Sequence, residues 1–150
     1  MGDTMKIQEL MMNAIFEVFE KMFFVFLEPV EEDVKYDMIA SINFAGPIKG
    51  EINVLLTHDL ACTMVQNMLG VDEGSVTQKL IEDCTKEAVN MIGGNFLQKY
   101  DSSNVFDLSI PTFKNESAMM AKQDAEASET TWILPFESSE GLLGVKMSFS

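Results

Sequence analysis

The sequence contains no arginine, one histidine, two cysteines and one tryptophan in 150 residues. Each scarcity closes a route. All ten basic side chains are lysines, and 24 acidic ones bring the formal net charge to −14. Nucleic acid is thereby excluded as a partner, because phosphate backbones are neutralised by clustered Lys and Arg and base edges are most often read by Arg. Anionic membrane surfaces are disfavoured for the same reason. The lone His58 would have to centre any Ser-His-Asp or Cys-His nucleophile system. It sits in Thr57-His58-Asp59 at a strand-to-helix turn, where a capping role is expected. Cys62 and Cys84 fall in stretches of helical periodicity and read as small buried apolar side chains. Grouped with His58 they would make a zinc set without any short-spaced ligand pair, so no metal site is expected.

Long apolar runs are also missing. The most apolar, Met22 to Leu27, is bracketed by Glu20, Lys21 and Glu28, far short of the roughly 18 to 20 residues a membrane span requires. It is expected in a buried helix or a subunit contact. The first residues lack a basic stretch followed by an apolar one, so no secretory signal is visible and a cytoplasmic location is expected. Twelve methionines in an acidic chain invite comparison with calcium sensors, but an EF-hand begun at Asp101 puts Phe106 where glycine belongs and Thr112 where the bidentate Glu belongs. No Gly-rich phosphate loop is present. Asn115-Glu116-Ser117 matches a glycosylation triplet by chance.

What is present suffices for one folded domain over residues 1–150: 47% hydrophobic residues in a chain long enough to bury a single sizeable core. Apolar residues at Ile7, Leu10, Met11, Ala14, Ile15, Val18 and Met22 predict a helix over residues 4–28, capped by Asp3 or Thr4 and ended by Pro29. After the acidic turn Glu31-Glu32-Asp33 the period becomes two. Met38, Ala40, Ile42 and Phe44, then Ile48, Gly50, Ile52, Val54 and Leu56 across Gly46-Pro47, predict a hairpin with one buried face. Thr57 opens a short helix that Gly70 closes. Ser75 and Gln78 have capping-box spacing for a second helix from Val76 to about Tyr100. Phe106 to Ile110, Trp132 to Phe136 and Leu143 to Phe149 read as strands, and Lys114 to Glu129 as a connection, a weak helix or an edge segment. The order predicts an α+β domain, helices packed on an antiparallel sheet.

The helix IEDCTKEAVNMIGGNFLQKY carries the most informative pattern. At 100° per residue, Leu80, Ile81, Cys84, Ala88, Met91 and Ile92 form one apolar arc, while Asp83, Glu87, Asn90 and Gly94 lie within about 60° of each other on another face. Gly93 and Gly94 together cost on the order of 2 kcal/mol of helix propensity relative to Ala, a cost tolerated for close packing or close approach of a partner. Spacing alone favours a solvated face with glycine at a helix crossing.

The stretch from Asp83 through Glu87 and Asn90 to Gly94 resembles the signature helix of the CheC/CheX/FliY phosphatases of bacterial chemotaxis: an acidic or hydroxyl residue, three residues, Glu, two residues, Asn. The opening helix with NAIFEVFEKMF, the strand pair around GPIKGEINVLL, the helix ending NMLG and the C-terminal hairpin resemble its CheX branch over nearly the whole chain. The resemblance implies a CheC-like fold that dephosphorylates the aspartyl phosphate of a CheY-type response regulator. Such a regulator supplies the phosphorylated Asp, a magnesium ion and a lysine, so no cofactor of the chain's own is implied. By likeness Asn90 holds the attacking water in line, Glu87 pairs with the regulator's lysine, Asp83 is a docking contact and Gly94 allows close approach. Glu17-Val18-Phe19-Glu20 has Glu where a second motif requires Asn, so one site per chain is expected, with a homodimer as in the CheX branch. The alternative on the same fold is a non-catalytic module that binds a regulator or a CheD-like partner.

Overall fold

The period-two segments become an antiparallel sheet, and the period-3.6 segments become helices on one side of it. The computed structural model describes residues 2–31, 34–121 and 130–150. In chain order they form α1 (Gly2–Met22), β1 (Glu28–Pro29), β2 (Val34–Ala45), β3 (Lys49–Leu56), α2 (His58–Leu69), α3 (Gln78–Tyr100), β4 (Asp107–Leu108), β5 (Thr112–Ala121), β6 (Thr131–Ser138) and β7 (Gly141–Phe149). The strand order is β1-β6-β7-β3-β2-β4, with β5 also pairing β2. All these pairings are antiparallel.

One sheet face is apolar because every second residue is. Met38, Ala40, Ile42 and Phe44 of β2, Ile52, Val54 and Leu56 of β3, and Leu143, Val145 and Met147 of β7 are buried in a single cluster with Met11, Ile15 and Phe19 of α1 and Ala88, Ile92 and Phe96 of α3. The α+β expectation therefore holds, and α3 lies over β2 and β3. Gly70 ends α2 in the left-handed conformation, φ 65°, with its own N–H and that of Val71 returning to the Gln66 carbonyl. Glycine reaches that φ without a Cβ penalty.

Several boundaries differ from expectation. α1 starts at Gly2 rather than after Asp3 or Thr4, and it stops at Met22 instead of running to residue 28. Beyond it Phe23, Val25 and Leu27 are buried while Phe24 and Phe26 are 65% and 74% exposed, which is the alternation of an extended chain, not a helix. The amides of Phe23 and Val25 both return to the Phe19 carbonyl, and Phe24 between them takes a φ of 55°. The all-round apolar run thus leaves the helix to reach the sheet edge at β1.

α3 starts at Gln78, two residues later than expected, because Thr77 caps it: its hydroxyl accepts from Leu80 N at 3.2 Å. Ser75 instead donates to Asp72 in the preceding turn. Of the expected strand Phe106 to Ile110, only Asp107 and Leu108 pair, against Phe44 and Ala45. The start of the Lys114 to Glu129 connection is the edge strand β5. Residues 122–129 and the acidic turn at Glu32-Asp33 lie outside the described residues.

Candidate functional site

α3 is anchored by a buried face comprising Ile81, Cys84, Thr85, Ala88, Val89, Ile92, Gly93, Phe96 and Leu97. That face is rotated from the expected arc, since Leu80 and Met91 are only partly buried and Val89, Thr85 and Gly93 replace them. Thr85 enters the core because its hydroxyl donates to the Ile81 carbonyl at 2.7 Å, which removes the cost of burying an unpaired polar group. At 100° per residue the buried face centres opposite Asp83, Glu87, Asn90 and Gly94. These four form a strip about 16 Å long on one uninterrupted helix.

The four positions are not equivalent. Asp83 is exposed and accepts from Lys79 at 3.1 Å, an i,i+4 pair with Glu82 on its flank; the lysine is held above its ordinary value chiefly by this hydrogen bond. Such an exposed pair is screened by solvent and contributes little to stability. Glu87 is exposed and Asn90 half-buried. Neither takes part in an ion pair or side-chain hydrogen bond with the described residues. A carboxylate and an amide side by side, fixed by a rigid backbone and without partners among the described residues, can accept from a cation and orient a water.

The two glycines divide the alternatives that spacing left open. A Cβ on Gly93 would run into Ile42 Cδ1, so Gly93 serves the crossing of α3 over β2. A Cβ on Gly94 would meet nothing within 4 Å. Gly94 forms the wall of a surface hollow of about 180 Å³ with Gln98, Asp101, Phe106 and Leu108 among its lining.

Sequence reasoning missed this hollow and the connection that forms its far side. Val105 and Ile110 there are 88% and 87% exposed, and Leu108 is also exposed. The alternation Phe106-Leu108-Ile110 gave a signal, but it pointed to a strand over the whole segment. Phe106 alone turns inward, its ring edge-on to Tyr100 and Phe44 with centroids 6.4 Å from each.

The remaining candidates separate. The His58 backbone N–H is bonded to Asp37 Oδ2 at 2.8 Å, so the cap of α2 comes from β2 and not from His58. The Thr57 hydroxyl accepts from Leu142 N instead of capping its own helix. The His58 ring lies against Cys62 Sγ at 3.6 Å, whereas Cys84 Sγ faces Met68 Sδ at 3.9 Å, which splits the three side chains considered for zinc. Burial, and secondarily the charge of Glu87, pushes the Cys84 thiol up to about 12. Among the described residues, no three His, Cys, Asp or Glu side chains converge as metal ligands. No described helix is long and apolar enough to cross a membrane. On α1, Glu17 bonds Lys99 at 3.0 Å and Lys21 at 3.1 Å, so the place of a second motif is taken up by an α1–α3 ion pair.

No curated protein is matched by the sequence. Solved structures are. CheX from Vibrio vulnificus superposes with a TM-score of 0.79 at 22% identity, covering 96% of each chain. CheX from Desulfovibrio desulfuricans gives 0.77 at 19% identity over 97% of this chain and 99% of that one. The CheX-CheY-BeF3-Mg2+ complex from Borrelia burgdorferi gives 0.71 at 18% identity over 94% and 96%. At these identities the structures establish a shared fold. The family model for the chemotaxis phosphatase CheX matches residues 38–137, a span that holds most of β2 and all of β3, α2 and α3, and the chain belongs to that family.

Proposed function

We propose that this chain is a phosphatase that hydrolyses the aspartyl phosphate of a CheY-type response regulator. The observation that carries the reading is the placement of Glu87 and Asn90 one turn apart on the solvent side of α3, opposite its buried face and without described partners. Membership of a family described as chemotaxis phosphatases supports it, as does a structural neighbour seen in complex with CheY.

Asn90 enters the regulator's site and its amide orients a water in line with phosphorus. Glu87 accepts from the regulator's lysine and sets the docking register, and Asp83 makes a flanking contact. Phosphoryl transfer is dominated by positioning and charge stabilisation, so an amide that fixes a water accelerates it without acting as a base. With no arginine in the chain, the cationic help comes from the regulator's lysine and its magnesium ion, which belongs to the regulator's side of the interface. Two copies of the chain form the working unit, with Phe24 and Phe26 available for their contact.

Phosphate release from a phosphorylated CheY-type regulator with magnesium present tests the reading. Wild type accelerates release, while Asn90→Ala loses at least a hundredfold of the maximal rate and retains binding within about threefold, since it removes water positioning and not docking. Binding without acceleration by wild type would make the chain a regulator-binding module instead.

A further inference from the structure

The strip on α3 is polar and narrow, yet specific protein interfaces bury about 800 Å² per partner, a disc of roughly 16 Å radius, around a fully desolvated apolar centre. A regulator seated on Asn90 must therefore reach well beyond α3. One turn further along the same face, about 6 Å away, Gly94 opens into the hollow walled by Phe106 and Leu108. Beyond it stand Val105 and Ile110, the most exposed large apolar side chains among the described residues.

These side chains are held out on a braced segment. Asp101 Oδ1 accepts from the Ser103 amide at 3.1 Å and from its hydroxyl at 2.7 Å, and Asp101 Oδ2 accepts from Asn104 Nδ2 at 2.6 Å. The Phe106 ring is seated between Tyr100 and Phe44. Gly46 is the residue that admits it, since a Cβ there would stand 2.6 Å from Phe106 Cδ1. At the far end Ser109 N donates to the Asn43 carbonyl at 2.9 Å, and Asn43 N donates to the Ser109 hydroxyl at 2.8 Å. A tethered segment that presents Val105 and Ile110 to water has already met the ordering cost that a loose loop would incur on binding.

We infer that the connection between α3 and β5, residues 101–111, is the apolar half of the surface on which the response regulator docks. Val105, Leu108 and Ile110 supply apolar burial, and the hollow beside Gly94 receives a side chain of the regulator. The inference rests on the reading of α3 as the regulator-facing helix and adds to it a second, affinity-determining element. Charge alone does not supply that affinity: rim charges set register and on-rate, and a chain of net charge −14 has no general attraction for a phosphorylated protein.

The test is the saturation of stimulated phosphate release by the intact protein, with phosphorylated regulator and magnesium, for wild type, Val105→Asp, Ile110→Asp, Ile110→Leu and Asn90→Ala. The Asp variants raise the half-saturating concentration about tenfold and leave the maximal rate within twofold; Ile110→Leu restores wild-type saturation. Asn90→Ala does the reverse, losing maximal rate with its half-saturating concentration little changed. If Asn90→Ala behaves so but both Asp variants saturate as wild type, the docking inference is overturned and the catalytic reading stands. A lack of stimulation by wild type overturns both. A shift of the Asp variants to a smaller sedimenting species with unchanged saturation assigns the patch to a second copy and also overturns the inference. Unfolding followed by the fluorescence of the buried Trp132 confirms that the variants are folded.

Discussion

Gly93 and Gly94 are neighbours in sequence with opposite surroundings: a Cβ on Gly93 would run into Ile42 Cδ1, and one on Gly94 would meet no heavy atom within 4 Å. Both replacements by alanine gain the same helix propensity, about 1 kcal/mol, so the difference between them isolates the clash. Gly94→Ala is expected to raise stability by up to about 1 kcal/mol. Gly93→Ala should lie roughly 1–3 kcal/mol below it, the usual cost of overpacking a filled core. Urea unfolding of the two variants decides; equal stabilities would mean that Ile42 turns aside freely.

Glu17 ties α1 to α3, and its carboxyl is held down to about 2, chiefly by the hydrogen bond from Lys99, then by Lys21 and Asn95. A depressed folded-state value contributes stability that is complete above the ordinary value of 4.5 and drains away as pH falls toward 2. Wild type is therefore expected to be more stable than Glu17→Gln at pH 7, with the gap narrowing below pH 4.5 and closing near pH 2. Urea midpoints at pH 7, 4 and 2.5 measure it. A gap that stays constant with pH would show that the carboxylate charge is not what Gln lacks.

The sequence made the sheet legible wherever one face was buried. In β2, β3, β6 and β7 the period-two alternation and the buried cluster coincide, because a one-residue slip would turn every apolar side chain to water. It was misleading where tertiary partners override local pattern. The Met22 to Leu27 run has the composition of a helix but alternates in burial, since the chain must leave α1 to reach β6. The cap of α2 was out of reach because Asp37 supplies it from 21 residues away. At the candidate site, the strip on α3 follows from helical geometry alone, whereas the hollow depends on Phe106 finding the space left by Gly46. No local spacing encodes that encounter.

Neither cysteine has the environment of a reactive thiol. Burial, then the charge of Glu87, pushes Cys84 up to about 12. Cys62 is raised by burial and by Asp59 and Glu73. Because the thiolate is the nucleophile, alkylation at pH 8 should be slow at Cys62 and absent at Cys84 until Trp132 fluorescence reports unfolding. Mass spectrometry of the labelled peptides checks this. Labelling of native Cys84 at the rate of a free cysteine would mean that α3 opens readily from the sheet.

Glu87 and Asp83 are both carboxylates on the exposed face of α3, but only Asp83 is engaged, by Lys79. That difference separates their expected roles in docking. A carboxylate without an internal partner gains a full ion pair with the regulator's lysine, while Asp83 must first give up or share its own. Glu87→Gln is therefore expected to weaken regulator binding about tenfold at low ionic strength, and Asp83→Asn by threefold or less. Salt distinguishes the two further, since charge pairs at an exposed rim are screened over a Debye length of roughly 8–10 Å at 0.10–0.15 M. Wild type should lose affinity steadily from about 50 to 500 mM salt as that length shortens, and Glu87→Gln should show a flatter dependence. Binding titrations across that series, made with the regulator alone and so independent of turnover, provide the comparison. Parallel salt slopes for wild type and Glu87→Gln would remove Glu87 from the lysine pair and leave the register to be set by the apolar contacts at Val105 and Ile110.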